Sequence, residues 1–342
     1  MDNLTHGLLG MAVAACVAPP ECRRQAALVG FLAGEFPDLD VLLRSETDPL
    51  FSIEMHRHFT HSLLLAPVIG VAMAWLVILW QRWRSRPVDL RSLMWAGVAA
   101  ALSHAFCDVW TSYGTRWFWP FSQQRVSWDL ISVIDPLFTL PLVPLVVMGV
   151  WKRSRRWLAS GLVWALCYLC FCFVQQLRVL TQVKQVIATR GHTAERLTVK
   201  PSFANSIVWR GLYEAEGKAY VLCFRAAGTV ALLGQDQASL VRPEQLTQIA
   251  GDTTLAGDVR RFAHFSDGWL AWHPERPDVL GDLRYAQRPD AIFPLWGIVV
   301  DPYQPYRHAP LMTFRRTRDD SWQALWSMIR HGHAGESAAQ VP

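Results

Sequence analysis

His56-Arg57-His58-Phe59-Thr60-His61-Ser62 sets three imidazoles and a guanidinium directly before nineteen uncharged residues, Ser62 to Trp80. An apolar run of that length spans a bilayer. Ionisable groups at the rim of a membrane helix carry a solvation cost, so function is the default reading of such a cluster. His56 and His61 are five apart, a spacing that builds half of a metal site, because neutral imidazole is the commonest metal ligand. Thr60 or Ser62 would cap a helix that starts at His61. His58 lies between them and is expected to face away. A single histidine here would be read more simply as a side chain in the headgroup zone.

Working outward, further apolar runs occupy Leu8 to Ala18, Ala26 to Phe36, Ser92 to Trp110, Leu130 to Trp151 and Trp157 to Gln176. Lysine and arginine in short loops mark the cytoplasmic side. Ten of them (Arg23, Arg24, Arg82, Arg84, Arg86, Arg91, Lys152, Arg153, Arg155 and Arg156) fall in alternating loops, against Arg44, Arg57, Arg116 and Arg125 in the others. This pattern predicts six crossings with both termini outside the cytoplasm. It brings His6, Asp38, Asp40, His56, His61, His104, Asp108 and Asp135 to the non-cytoplasmic face. Six separate segments then deliver their chemistry to one level.

The pieces differ in strength. His104 and Asp108 are four apart on a predicted helix, hence one above the other on one face. That suits shared coordination, a carboxylate holding the far nitrogen of a ligand histidine, or a plain buried hydrogen bond. Pro37-Asp38-Leu39-Asp40 reads as an extended segment with both carboxylates on one side, and Pro37 ends the helix before it. Beside histidines, these oxygens suit a borderline divalent ion. His6 follows Thr5 at the opening of the first run. Asp135 sits six residues into an apolar segment and needs a partner there, a ligand histidine or Arg125. Arg57, Arg116 and Arg125 can clamp an anion bidentately or contact lipid phosphate.

A net charge of +5 over 342 residues is mild and comes from short arginine clusters between apolar runs, which suits membrane topology and argues against nucleic-acid binding. Seven cysteines make no framework; Cys167, Cys170 and Cys172 lie in an apolar run without the second pair that a structural zinc site needs. The start, with Asp2 and no basic segment, is not expected to be a cleavable signal. The chain divides at about residue 177 into a polytopic membrane domain (1–177) and an extracytoplasmic β-rich domain (178–342). In the second, 219–224, 229–233, 262–272, 279–285 and 298–300 read as strands, 321–330 as a closing helix and 331–342 as a frayed tail. His264, Asp267, His273 and Asp282 lack ligand spacing and read as structural.

The set Leu4-Thr5-His6-Gly7, Pro37-Asp38-Leu39-Asp40, His56 to Ser62, His104-Ala105-Phe106-Cys107-Asp108 and Trp119-Pro120-Phe121-Ser122 resembles the membrane-bound metal-dependent hydrolases, also labelled LexA-binding, inner-membrane-associated hydrolases. The resemblance covers most of residues 1–175. Pro201, Trp209-Arg210, Phe262 to Gly268 and Gly281 to Tyr285 resemble the periplasm-facing extension of some members. It implies a helical membrane domain distantly akin to zinc-dependent phospholipase C, with metal ligands at His6, Asp38, His56, His61, His104 and Asp108. His58 departs from the family, which commonly has Gly there.

The expectation is therefore an α-helical membrane domain of about six hydrophobic helices followed by a smaller soluble α+β domain. Its function is expected to be that of a multi-pass inner-membrane hydrolase with zinc, or else manganese, at the outer rim. Metal-activated water would attack a phosphoester such as a phospholipid. Asp40 or Asp135 would act as general base, and Arg57 and Arg116 would stabilise the developing negative charge. Membrane lipids are the expected partners. The alternative is a non-enzymatic membrane protein with a structural or sensory metal and a partner-binding C-terminal domain. A transporter fits less well, because the polar residues gather at one face rather than at the midplane.

Overall fold

The computed structural model describes residues 1–246, 251–314 and 318–332. The chain packs as two units. One comprises Met1–Leu43, Met55–Val174 and Phe203–Ser206; the other comprises Arg44–Glu54, Gln175–Ser202 and Ile207–Pro342.

The first unit is helical. It contains α1 (Asn3–Val17), α2 (Arg23–Glu35), a 3-10 helix at Phe36–Leu42, a 3-10 turn at Phe59–His61, α4 (Ala66–Trp83), α5 (Leu90–Val109), α6 (Pro136–Trp151) and the first part of α7 (Arg155–Thr189); the short α3 (Phe51–Met55) ends at its edge. The short runs have identifiable starts. Asp2 caps α1 through Thr5 N–H at 3.1 Å, and Asp89 caps α5 through Ser92 N–H at 3.1 Å. Packing is tightest where side chains vanish. A Cβ on Gly10 would run into the Gly30 carbonyl, so α1 and α2 meet backbone to backbone. One apolar cluster joins α1, α6 and α7 through Leu8, Leu9, Phe138, Leu142, Leu158 and Tyr168. Another joins α2, α4 and α5 through Val29, Ile69, Val77, Leu93 and Ala100.

The expectation of six crossings is corrected. Three helices among the described residues are long and apolar enough to span: α4, α5 and α7. The helices α1, α2 and α6 have 15, 13 and 16 residues. At about 1.5 Å per residue they reach roughly 20–24 Å, short of a hydrocarbon core of about 30 Å. The faces the spans turn outward are apolar: Val68, Leu76 and Leu79 on α4, and Val163, Leu166 and Phe171 on α7, are exposed. Such faces suit lipid contact. Arg23 Nη1 donates to the Arg153 carbonyl at 2.6 Å and Arg24 to the Trp151 carbonyl at 2.7 Å, which sets the α1–α2 turn level with the α6–α7 turn.

The second unit holds two four-stranded antiparallel sheets, with strand orders β1-β2-β3-β4 and β5-β6-β7-β8. The first consists of β1 (Arg196–Pro201), β2 (Val208–Ala215), β3 (Lys218–Ala227) and β4 (Thr229–Ser239), the second of β5 (Leu270–His273), β6 (Arg276–Asp282), β7 (Trp296–Val299) and β8 (Leu311–Thr313). Val179, Val183 and Ile187 of α7 pack on Trp209, Tyr213 and Leu222. The expected strand at 262–272 is corrected: α8 (Thr254–Phe265) covers its beginning, capped by Thr253, and only Leu270–His273 is extended. Leu255, Val259 and Phe262 recur every three or four residues, and this helical period prevails over β-branched content. The closing helix α9 runs from Arg318 to His331. The tail expected from 331 lies, from residue 333 on, outside the described residues.

Candidate metal centre

Two expectations about local structure are overturned around the histidines. Asp38 and Asp40 do not lie on an extended segment, because Pro37, the second residue of the 3-10 helix, continues the helical direction of α2. With about three residues per turn, positions two apart diverge instead of sharing a side. Asp38 faces one set of histidines and Asp40 another. Nor does His61 begin a helix: it ends the 3-10 turn, and α4 starts at Ala66.

His6, Asp38, His104 and Asp108 each place one ligand atom within 4.8 Å of the others, and all four are buried. His104 Nε2 is 3.9 Å from Asp38 Oδ1 and 3.4 Å from Asp108 Oδ2. His6 Nε2 is 3.1 Å from Asp108 Oδ1 and 3.9 Å from Asp38 Oδ2. His61 reaches the same two carboxylates, 3.3 Å to Asp38 Oδ1 and 3.1 Å to Asp108 Oδ2. Around an ion with donors at about 2.1 Å, tetrahedral ligand atoms stand roughly 3.4 Å apart. The spacings of this group bracket that edge length.

The fit also rests on lone pairs. His104 Nδ1 donates to the Gly34 carbonyl at 2.6 Å, which fixes the tautomer and leaves Nε2 as an acceptor. That Nε2, together with Asp38 Oδ2, is buried without a hydrogen-bond partner. Buried polar atoms are rarely left in that state, and a cation satisfies them. Only glycine fits at position 34, since a Cβ there would stand 2.7 Å from the His6 carbonyl oxygen.

Charge supports the same reading. Burial works against a charged Asp38, but hydrogen bonding to His61 and the nearby His104 and His6 outweigh it and hold the carboxyl below its ordinary value. Burial likewise disfavours a charged His61. Hydrogen bonds to Asp108 and Asp38 outweigh that and raise its pKa to about 9. A proton on His61 then stands where a metal cation would otherwise balance the carboxylates, and ion binding must displace it.

Asp40 is an orienting group. It accepts from His56 Nδ1 at 2.8 Å, Arg57 N–H at 2.8 Å and Thr60 Oγ1 at 3.2 Å, and lies 3.3 Å from His61 Nδ1. It therefore points His61 Nε2 at the carboxylate pair. His56 sits on Asp40, with its side chain 28% exposed, outside the group of four. The backbone of Arg57 adopts φ +58°, a region that costs a non-glycine residue free energy. Its guanidinium turns inward, to Asp108 Oδ1 at 3.0 Å, the Asp108 carbonyl at 3.2 Å and Thr111 Oγ1 at 2.7 Å.

Other expected site residues stand apart. Asp135 meets neither a ligand histidine nor Arg125. It caps α6 through Leu137 and Phe138 N–H, and Tyr168 donates to both of its oxygens at 3.0 and 2.9 Å. Arg116 donates to Gln123 Oε1 at 2.9 Å, Arg125 donates to the Gly114 carbonyl at 3.3 Å, and the His58 ring stands 5.8 Å from Trp119. In the second unit, Asp282 pairs with Arg284 at 2.8 Å and the His273 ring packs 4.2 Å from Phe314. Sequence reasoning missed a second His/Asp group there, Asp48, Asp258 and His308. Its members are 210 and 50 residues apart, and no spacing signal links them.

A family model described as YdjM inner membrane protein matches residues 1–179. Curated relatives include the uncharacterized protein YfhP of Bacillus subtilis, 26% identical over 194 residues (54% of this chain and 55% of that protein). Another is the inner membrane protein YbcI of Escherichia coli, 28% identical over 165 residues (46% of this chain and 90% of that protein). The chain thus spans about half the length of the first. No solved structure matches.

Proposed function

Starting from a chain that belongs to the YdjM inner membrane protein family, we propose that it is a metal-dependent hydrolase of the inner membrane acting on a phospholipid-like phosphoester. The observation that carries this reading is the gathering of ligand atoms from His6, Asp38, His104 and Asp108 within 4.8 Å of one another, with His104 Nε2 buried there without a hydrogen-bond partner. His61 completes the set. Mixed nitrogen and carboxylate donors suit zinc, with manganese the next choice. Such an ion, when bound, supplies Lewis acidity and lowers the pKa of water from about 15.7 toward 7.

The chain's own residues divide the remaining work. Asp40 holds the His61 tautomer, and Gly34 holds that of His104. Arg57, its donors directed to Asp108 and Thr111, positions that carboxylate rather than the substrate. Asp40 and Asp135 have their oxygens engaged, which leaves Asp38, whose Oδ1 beside His61 would be the ligand and whose Oδ2 would be the proton acceptor. Its Oδ2 has no partner, and its side chain, 9% exposed, is the least enclosed among the carboxylates of the group. Beside it Leu39, Val41 and Leu42 expose their side chains from the same 3-10 helix. A substrate with a polar phosphoester and apolar chains fits that edge.

The test is hydrolysis of a short-chain phosphatidylcholine by purified protein with zinc added back. Wild type should turn over and His61→Ala should not; equal rates would sink the reading. A second reading has its own observation. His6, His61, His104 and Asp108 are fully enclosed, and five donors exceed the four that close a structural zinc site. Zinc retained at full stoichiometry with no turnover would favour that structural role. For topology, Gln25 Nε2 donates to the Pro87 carbonyl at 3.2 Å, so the cationic turns at 23–24, 82–91 and 152–156 gather at one level although α1, α2 and α6 are shorter than a full span. This supports a multi-pass arrangement with the second unit outside the cytoplasm. A reporter fused after Gln176 should be active there, and cytoplasmic activity would reverse it.

A further inference from the structure

Between Asp40 and His56, both ends of which belong to the metal centre, the chain makes an excursion. Residues Arg44–Glu54 pack as part of the second unit and not the first. Within the second unit this segment is tied down by one side chain of α8. Arg261 Nε and Nη2 donate to Glu54 Oε1 and Oε2, both at 2.8 Å. Its Nη1 and Nη2 donate to Asp48 Oδ1 and Oδ2 at 3.2 and 2.7 Å. Asp258 Oδ1 takes a further Nη1 bond at 2.8 Å. Asp258 in turn accepts the Ala309 N–H at 2.9 Å and lies 3.0 Å from His308 Nδ1. Leu50, in the middle of the segment, is completely buried.

The fork geometry matters. A guanidinium presents five donors in one plane and can grip two carboxylates bidentately, which a flexible ammonium cannot. The two gripped residues lie at the tip of the excursion and at its return. The neck of the excursion is the outer shell of the metal centre. There Asp40 receives His56 Nδ1 and the Arg57 N–H, each at 2.8 Å, with Arg57 held at positive φ. Glu54 precedes His56 by two residues, a span of at most about 7 Å. Fixing Glu54 therefore restricts where His56 and Arg57 can go, and it lowers the entropy lost when Asp40 gathers them.

We infer that Arg261 is a positioning residue for the metal centre, acting along the chain through its clamp on Asp48 and Glu54. The inference rests on the reading of the His/Asp group as a metal site. Under it, the C-terminal unit stiffens the loop that orients His61 and Asp108. No contact between the two units is needed, because the coupling runs through the covalent joints at 43–44 and 54–55.

The experiment compares wild type, Arg261→Ala, Glu54→Gln and the double variant, all full length in detergent micelles. Two quantities are read: hydrogen exchange of residues 55–62 in metal-free protein, and zinc affinity by competition with a chromophoric chelator. Glu54→Gln removes only the arm nearest His56 and guards against loss of the whole fold in Arg261→Ala. Exchange at 55–62 should accelerate about tenfold in each single variant, and zinc should bind roughly tenfold more weakly, the lower end for outer-shell losses. The double variant should add little to either single, as expected when two groups act as one unit. Faster exchange at 44–54 with no change at 55–62 would overturn the inference. So would additive effects in the double variant. If wild type binds no zinc, the metal-centre reading fails and the positioning claim falls with it; zinc bound equally by wild type and both single variants overturns the positioning claim alone.

Discussion

Among the described residues, two buried or half-buried groups of histidine and aspartate have opposite characters. In the first unit His6, Asp38, His104 and Asp108 crowd together, with His104 Nε2 and Asp38 Oδ2 lacking a hydrogen-bond partner. In the second unit Asp48, Asp258 and His308 crowd as closely, but Arg261 stands among them and answers Asp48 and Asp258 as well as Glu54. Composition alone would rank the two equally. What separates them is which carboxylates the protein's own cations reach. Where an arginine reaches them all, the carboxylates are satisfied and the group is an ion-pair clamp. In the first group the Met1 ammonium and Arg57 both stand on Asp108 Oδ1, at 2.6 and 3.0 Å, and Asp38 is met by histidines instead.

The comparison breaks most easily at the first group. Replacing His61 or His104 by alanine should cost zinc affinity on the order of 10³-fold, about 4 kcal/mol, because a buried charge loses a partner. Elemental analysis of purified protein checks this, and unchanged metal in both variants would mean that the ligands are misassigned. Asp40→Asn should weaken zinc by about 10- to 100-fold, the usual range for an outer-shell partner, while leaving the melting curve near that of wild type. Gly34→Ala should destabilise the first unit by about 1–3 kcal/mol through overpacking against the His6 carbonyl, read as a lowered midpoint in denaturant.

The second group sharpens the contrast through smaller effects. Burial works against a charged Asp48, yet hydrogen bonding to Arg261 outweighs it and holds the carboxyl below its ordinary value of 3.8. A depressed carboxylate contributes stability above pH 3.8 that is lost as pH falls through its folded value. Melting of wild type should therefore drop between pH 5 and pH 3 more than melting of Asp48→Asn. His308→Ala should leave the zinc stoichiometry unaltered. A lost equivalent would show that the clamp is itself a metal site.

The candidate site was legible to an unequal degree. His104 and Asp108 were readable as neighbours because four residues make one turn of a helix that the apolar run of α5 announces. His56 to Ser62 was readable as a polar rim because nineteen uncharged residues follow it. The split of Asp38 from Asp40 was not readable, since a proline after an apolar run is equally compatible with an extended segment or a 3-10 turn. The displacement of His56 to the outer shell followed from that split. Asp135 read as a site residue because an acid in an apolar segment needs a partner, and the partner proved to be Tyr168 with two helix amides.

Residue order by itself determined that this chain has an apolar helical half, a β-rich half, and imidazoles and carboxylates clustered at the ends of apolar runs. These follow from local chemistry, from periodicity and solvation, and local chemistry is written in the order of residues. Only the tertiary structure decided which acids meet which histidines, that three helices and not six are long enough to span among the described residues, and that Arg261 grips the loop between Asp40 and His56. Such choices depend on contacts between residues far apart in the chain, where backbone path and close helix packing, not spacing, set which lone pairs are left facing one another.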